Sequence, residues 1–270
     1  MICYPNAKIN LGLNVVSRRT DGYHDIESIF LPIQLCDVLE VLPTGGDDIQ
    51  LFIHGIELKG DLSENLVVKA YRLMRDKYDL GGVEVHLLKN IPTGAGMGGG
   101  SSDGVFMLRA LSNLFHLPVT PVELHSWAET LGSDCPFFLF NTPSFVTGRG
   151  EVVKPLQIDL SQYKALVIHP GIHIATGSAF SKIEPKPPAC NLERAVRLPM
   201  EDWKNVFSND FYTHALHTSP VIGEMVDQLY DGGALYAAMT GSGSAVYGIF
   251  HRDMLCSKGI SGFSRYCDFL

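Results

Sequence analysis

The 270-residue chain lacks the marks of several large protein classes. Its six cysteines (Cys3, Cys36, Cys135, Cys190, Cys256 and Cys267) are scattered and form no C-x-x-C pair. This spacing excludes a zinc ribbon or a disulfide frame and fits reduced thiols in a cytoplasmic protein. The ten histidines form no H-E-x-x-H, so no structural metal is expected. No apolar run approaches the roughly 20 residues of a membrane span. Residues 1–6 show no basic stretch leading into an apolar one, so neither a membrane anchor nor a signal peptide is expected. Positive charge is also in deficit. A net charge of −8 argues against nonspecific nucleic-acid binding, while leaving room for a local basic pocket. No internal repeat occurs, and no feature points to an obligate protein partner.

Apolar material is plentiful, at 46%, and the length suggests two domains or one large one. The first 90 residues read mainly as strands at 9–16, 26–42 and 49–53, broken by turn signals such as Thr20-Asp21-Gly22. Residues 65–78 read as a helix with Leu66, Ala70, Leu73 and Met74 on one face and Ser63 as a cap. Residues 83–88 read as a strand. Val105, Leu108, Leu111, Leu114 and Phe115 recur at helical spacing, and a further helix is expected over 121–131 with Pro121 in its first turn. A boundary is expected between 146 and 162, dividing the chain into domains 1–155 and 156–270. Beyond it, strands are expected at 164–169, 235–239 and 245–250, and helices at 176–182, 203–216 and 221–230. After Arg252 the pattern is irregular. The whole reads as α+β.

Residues 91–103, IPTGAGMGGGSSD, are the most informative stretch, with five glycines within seven residues. Glycine permits positive φ and close backbone approach to a ligand. The helix that follows turns free N–H groups and its positive dipole end toward the loop. Together they predict an anion cradle of the kind used for phosphate. A Walker loop would need lysine before the hydroxyl residue, and Gly100 stands before Ser101. Gly94, Gly96 and Gly99 match the dinucleotide fingerprint G-x-G-x-x-G. That fingerprint needs an acid ending a strand about 20 residues on, whereas Glu123 lies at the start of a predicted helix.

Four other segments carry chemistry only in combination. Lys8 and Asn10 lie two apart in a strand and share a face. Asp21-Gly22-Tyr23-His24 reads alone as an Asp-Gly turn. Asp134 sits in a tight turn after a helix, where Asp is commonly a cap or turn former. Residues 239–246 read as a tight turn or as a second wall of a nucleotide site.

In this order and at these spacings, the segments resemble the GHMP small-molecule kinases (galactose, homoserine, mevalonate and phosphomevalonate). Residues 92–103 match the family's second motif, and Thr240-Gly241-Ser242-Gly243 its third. Residues 5–13, 19–24 and 94–103 are similar to the branch acting on 4-diphosphocytidyl-2-C-methyl-D-erythritol, with similarity from Pro5 to about Phe250. The resemblance implies an N-terminal ribosomal protein S5 domain 2-like fold and a C-terminal ferredoxin-like α/β sandwich. It implies transfer of the γ-phosphoryl of ATP, with Mg²⁺, to the 2-hydroxyl of that substrate. Asp134 would then be the proton acceptor and Lys8 its cationic partner. Asn10 would orient the substrate, Tyr23 would stack on the cytosine, His24 would read its edge, and Phe180 would close the other side. Pro92, Thr93, Gly94, Ala95, Gly96, Met97, Gly98, Gly99, Gly100, Ser101 and Ser102 would wrap the triphosphate, and Asn65 would contact adenine.

The chain departs from the family pattern at a few positions. Met97 stands for leucine, and Asp103 stands for the superfamily's alanine, where it is expected to cap the following helix and point away from the ligand. Cys135 is expected to pack as a small hydrophobe. Competing readings are a GHMP kinase for homoserine or mevalonate, disfavoured by residues 21–24, and a noncatalytic nucleotide-binding protein, disfavoured by the retention of Lys8 and Asp134.

Overall fold

The computed structural model describes residues 1–58, 60–256 and 262–270. The element order begins β1 (Ile2–Cys3), β2 (Asn6–Arg18), β3 (His24–Cys36), β4 (Val38–Pro43), β5 (Ile49–Gly55), α1 (Leu66–Tyr78) and β6 (Val83–Lys89). It continues with α2 (Gly99–Leu114), α3 (Pro121–Leu131), α4 (Cys135–Phe140), β7 (Ser144–Thr147), β8 (Val152–Pro155) and β9 (Tyr163–His169). Then come α5 (Thr176–Phe180), α6 (Leu192–Ala195), α7 (Trp203–Val206), α8 (Tyr212–Thr218), α9 (Val221–Asp231), β10 (Tyr236–Met239), β11 (Val246–His251) and β12 (Phe263–Cys267). Among the described residues, no helix is long and apolar enough to cross a membrane. Packing divides the chain into two compact units that interleave in sequence. The first is Met1–Ala7, Leu35–Thr93 and Gly98–Asn141; the second is Lys8–Gln34, Gly94–Met97 and Thr142–Leu270.

The first unit is built on the sheet β1-β4-β6-β5, in which β5 runs parallel to β6 and the other pairs are antiparallel. Strand β6 alternates strictly: Val83, Val85 and Leu87 are buried, while Glu84, His86 and Leu88 face outward. Helix α1 buries Val67, Ala70, Tyr71 and Met74, the spacing of one helical face, and packs on α2. Helix α3 opens with a capping box. Thr120 Oγ1 accepts from the Glu123 N–H at 3.3 Å, and the Glu123 carboxylate accepts from the Thr120 N–H at 2.8 Å. Helix α4 is short but well anchored, because Cys135, Phe137 and Phe138 are buried where it meets α2 and α3.

The second unit holds the sheets β2-β3-β7-β8 and β10-β11-β9-β12, although the first two residues of β2 and the last two of β3 belong to the first unit. Its core gathers Leu13, Val15, Ile168, Phe211, Leu229 and Phe250 from strands and helices far apart in sequence.

Several expectations need correction. The single strand read over 26–42 breaks at Asp37, whose buried carboxylate accepts backbone N–H groups instead of continuing the ladder. Asn65, not Ser63, caps α1, accepting from the Val67 N–H at 2.9 Å. The stretch at 146–162, where a boundary is expected, holds the turn and second strand of the β7–β8 hairpin, closed by Gly148 and Gly150 at positive φ. The helix read over 203–216 is interrupted between α7 and α8. There the Asn209 amide donates to the Met239 and Gly241 carbonyls, and Asp210 accepts from the Val15 N–H, so tertiary hydrogen bonds replace helical ones. The tail after Arg252 supplies β12, paired with β9; residues 257–261 lie outside the described residues.

The capping box gives a direct check. Thr120→Ala removes the hydroxyl from α3's first turn and should lower stability by about 1 kcal/mol in urea unfolding.

Candidate active site

In the second unit, β2 presents Lys8 and Asn10 on one face, and both are buried. The Lys8 ammonium donates to Asn10 Oδ1 at 2.6 Å and to the Gly96 carbonyl at 3.1 Å, and lies 4.5 Å from the centre of the Phe30 ring. Asn10 is itself fixed. Its amide donates to Ser28 Oγ at 3.0 Å, and its Oδ1 accepts from the Thr240 hydroxyl at 3.1 Å. Its carbonyl accepts from the Tyr247 hydroxyl at 2.7 Å.

The apex of the glycine loop, Gly94–Met97, packs within the same unit. The Lys8 N–H donates to the Met97 carbonyl at 3.0 Å, and the Ala245 N–H to the Ala95 carbonyl at 3.3 Å. Gly96 has φ +80°, and a β-carbon there would overlap the Thr240 carbonyl oxygen. A β-carbon on Gly241 would come within 2.7 Å of the Gly96 Cα. Two glycines are therefore needed for these two backbones to touch.

In the first unit, α2 begins at Gly99 after an N-cap at Gly98 with φ +69° and no side-chain cap. The first ladder bond runs from the Ser102 N–H to the Gly98 carbonyl, so the amides of Gly99, Gly100 and Ser101 have no partner within the helix. Ser102 Oγ is buried without a hydrogen-bond partner among the described residues. Amides without a helical partner, a helix N-terminus and an orphaned hydroxyl fit an anion. Asn65 lies at the start of α1 with its side-chain oxygen engaged in capping.

Asp134 occupies the N-cap position of α4 and is half-buried. The sequence reading placed it in a turn but missed α4, because Pro136 and a single turn of aromatics give no periodicity to read. The Cys135 thiol beside it is fully buried, which pushes its pKa up to about 12 against a hydrogen bond with Ser101. It packs as a small hydrophobe, as expected. Asp103 departs from expectation. It does point into the protein, but its partner is the buried Lys89, at 2.6 Å, not the N–H groups of its own helix.

Tyr23 and His24 leave the tip of the β2–β3 hairpin. Gly22 takes φ +86°, the Tyr23 N–H donates to Asp21 Oδ1 at 3.1 Å, and Arg19 pairs with both Asp21 and Asp25 at 3.0 Å. Tyr23 is 54% exposed, with the Arg149 guanidinium 4.9 Å from its ring centre. His24 stacks on Phe180 with ring centres 5.1 Å apart and planes at 22°, and Phe180 meets Phe211 edge-on. The structure thus brings His24 and Phe180 together. Ser28 and Arg149 went unnoticed in the sequence, since a lone serine in a strand and an arginine between glycines carry no pattern. Among the described residues, no three His, Cys, Asp or Glu side chains converge to hold a metal.

Comparison with known proteins adds an independent line. Residues 65–142, which include the whole glycine loop and Asp134, match the family model described as GHMP kinases N terminal domain. Residues 207–255, which include the Thr240 turn, match GHMP kinases C terminal. The chain is 46% identical over 253 residues to 4-diphosphocytidyl-2-C-methyl-D-erythritol kinase of Parabacteroides distasonis, covering 93% of this chain and 92% of that one. It is 42% identical to the protein of that name from Bacteroides thetaiotaomicron, covering 99% and 98%. A crystal structure of 4-(cytidine 5'-diphospho)-2C-methyl-D-erythritol kinase superposes with a TM-score of 0.77 at 34% identity, over 92% of this chain and 89% of that one.

The contact at Gly96 is testable. Gly96→Ala places an L-residue in the left-handed region, at about 1–2 kcal/mol, before the overlap with the Thr240 carbonyl is relieved. Urea unfolding should register at least that loss, and a variant as stable as the parent would remove Thr240 from the loop's surroundings.

Proposed function

Because the chain belongs to the 4-diphosphocytidyl-2-C-methyl-D-erythritol kinases of the GHMP family, we propose that it transfers the γ-phosphoryl group of ATP to the 2-hydroxyl of 4-diphosphocytidyl-2-C-methyl-D-erythritol. This is a step toward isopentenyl diphosphate. The observation that carries the reading is the loop: glycines at positive φ running into a helix whose first amides have no partner within the helix and whose buried Ser102 hydroxyl has none among the described residues. Backbone donors of this kind hold a polyphosphate without a Walker lysine. We assign residues 92–102 to the triphosphate and Asn65, through its amide hydrogens, to adenine.

Phosphoryl transfer depends mainly on positioning and charge stabilisation. The substrate oxygen attacks the γ-phosphorus, the bond from that phosphorus to the bridging oxygen breaks, and ADP leaves. Asp134, half-buried at the N-cap of α4, accepts the hydroxyl proton. Lys8 offers a fixed positive charge to the phosphoryl oxygens, held in place by Asn10 and the Gly96 carbonyl. Asn10 accordingly serves first to orient Lys8, with its second amide hydrogen left for the substrate. Mg²⁺, arriving with ATP, would supply charge neutralisation and draw most of its ligands from phosphates and water.

On the acceptor side, Tyr23 offers an exposed ring to cytosine, and His24, backed by Phe180, offers a ring nitrogen to the base edge. We place the family domain boundary near residue 155, between the two matched segments. The free thiols of Cys3, Cys36, Cys135, Cys190 and Cys256 fit a cytoplasmic protein.

ADP release measured over a panel of alcohols tests the assignment. Turnover is expected with the diphosphocytidyl methylerythritol and not with homoserine or mevalonate; inactivity on all three would overturn it. Asp134→Asn should lower kcat by about 10²- to 10⁴-fold with ATP affinity unchanged. Near-normal turnover would remove Asp134 from the proton-accepting role. Tyr23→Ala should raise the KM of the cytidine substrate about tenfold, the scale of one base–aromatic stack, and leave the KM for ATP alone.

A further inference from the structure

Wholly inside the first unit, beside the start of α2, lies a buried ionic cluster that the proposed chemistry does not use. The Lys89 ammonium, at the end of β6, pairs with Asp37 Oδ2 and, at 2.6 Å, with Asp103 Oδ2. All three residues are at most 3% exposed. Asp37 Oδ1 accepts two successive backbone N–H groups, from Asn90 at 2.6 Å and Ile91 at 2.9 Å. Asp37 is tied in turn through its own N–H, which donates to the Pro5 carbonyl at 2.9 Å. The Asn90 amide donates to the Cys36 carbonyl at 3.0 Å.

These contacts fall at both ends of the loop and nowhere along its middle. Asn90 and Ile91 are where the chain leaves β6 to enter the glycine run. Asp103 is in the first turns of α2, where the chain leaves it. Gly99 closes the arrangement: a β-carbon there would meet Ile91 Cγ2 at 2.9 Å and Lys89 Nζ at 3.5 Å. The start of α2 therefore rests directly on the residues that Asp37 holds.

We propose that Asp37, Lys89 and Asp103 are positioning residues that clip the entrance of the glycine loop to its exit and thereby preorganise it for the triphosphate. The proposal rests on the reading of residues 92–102 as the ATP loop. Stability alone does not account for such a cluster, because a buried ion pair is on balance no more stabilising than apolar packing of the same volume. Fixing the ends of a glycine-rich segment, by contrast, removes ordering entropy that would otherwise oppose binding.

Two carboxylates share one ammonium, and the balance of charge follows. Burial pushes Asp103 up to about 7, against the pull of Lys89 and with the push of Asp37. Burial works to lower Lys89, but the two carboxylates outweigh it and hold it above its ordinary value. The Cys3 thiol of β1 also faces Asp103, and burial raises it to about 11 and so keeps it neutral. Since Asp103 holds its proton more tightly folded than unfolded, this group's contribution to stability declines as pH rises from the ordinary carboxylate range to about 7 and is level above it.

The test is steady-state kinetics on Asp103→Asn, which keeps the shape and removes the charge, with Asp103→Leu as a second variant and Gly96→Ala as the loop control. A three- to tenfold rise in the KM for ATP is expected for the asparagine variant and a larger one for leucine. The KM of the alcohol substrate and kcat should stay within twofold. Asp103→Asn should also lose the decline in urea stability between pH 5 and 7.5. An unchanged KM for ATP in Asp103→Asn, with a raised one in Gly96→Ala, overturns the clip and leaves the loop assignment standing. An unchanged KM in both overturns the loop assignment and the clip with it. Equal rises in both KM values together with a fall in kcat overturn the clip in favour of a general loss of folding.

Discussion

A buried ammonium is the group around which the second unit is arranged. Removing the charge of Lys8 from water is costly unless its hydrogens meet oxygen acceptors. Two of those acceptors are Asn10 Oδ1 and the Gly96 carbonyl. Each in turn has requirements. Asn10 needs Ser28, Thr240 and Tyr247 to hold it, and the Gly96 carbonyl needs a backbone at positive φ lying flat against Thr240 and Gly241. The glycines at 96 and 241 therefore serve the lysine.

The glycine run divides its work by position. Gly94–Met97 is packed by strand and turn residues of the second unit, while the part from Gly98 onward is the start of a helix in the first. One half sets where carbonyls and amides point around Lys8. The other offers the amides of a helix terminus. A segment with side chains could satisfy one of these demands but not both, because φ values of +63°, +80° and +69° recur at Gly94, Gly96 and Gly98.

Local signals were legible where one element answered to one pattern. Helix α3 runs from Pro121 to Leu131 as its capping residues and proline dictate, and β6 follows its alternation. The mixed helix-and-strand GHMP kinase fold was readable because its motifs are short, ordered and distinctive. What escaped was set by tertiary partners. The interruption between α7 and α8 depends on carbonyls some 30 residues away, reached by Asn209. The stacking of His24 on Phe180 joins residues with no sequence relation. Asp103 looked like a helix cap because its position allowed it, and only Lys89 shows why it faces inward.

The interleaving of the two units has a consequence for how the protein is made. The first unit is complete once Asn141 has been synthesised, whereas the strand bearing Lys8 belongs to a unit that ends at Leu270. The Thr240 and Tyr247 hydroxyls that fix Asn10 lie 230 and 237 residues downstream of it. At roughly 5–20 residues per second, Asn10 waits on the order of ten to fifty seconds on the ribosome before those two hydroxyls exist. Throughout that interval Leu13 and Val15 of β2 lack the second unit's distal strands, against which they are buried. The nascent chain, more than the finished enzyme, is where this fold is exposed to chaperones and to aggregation.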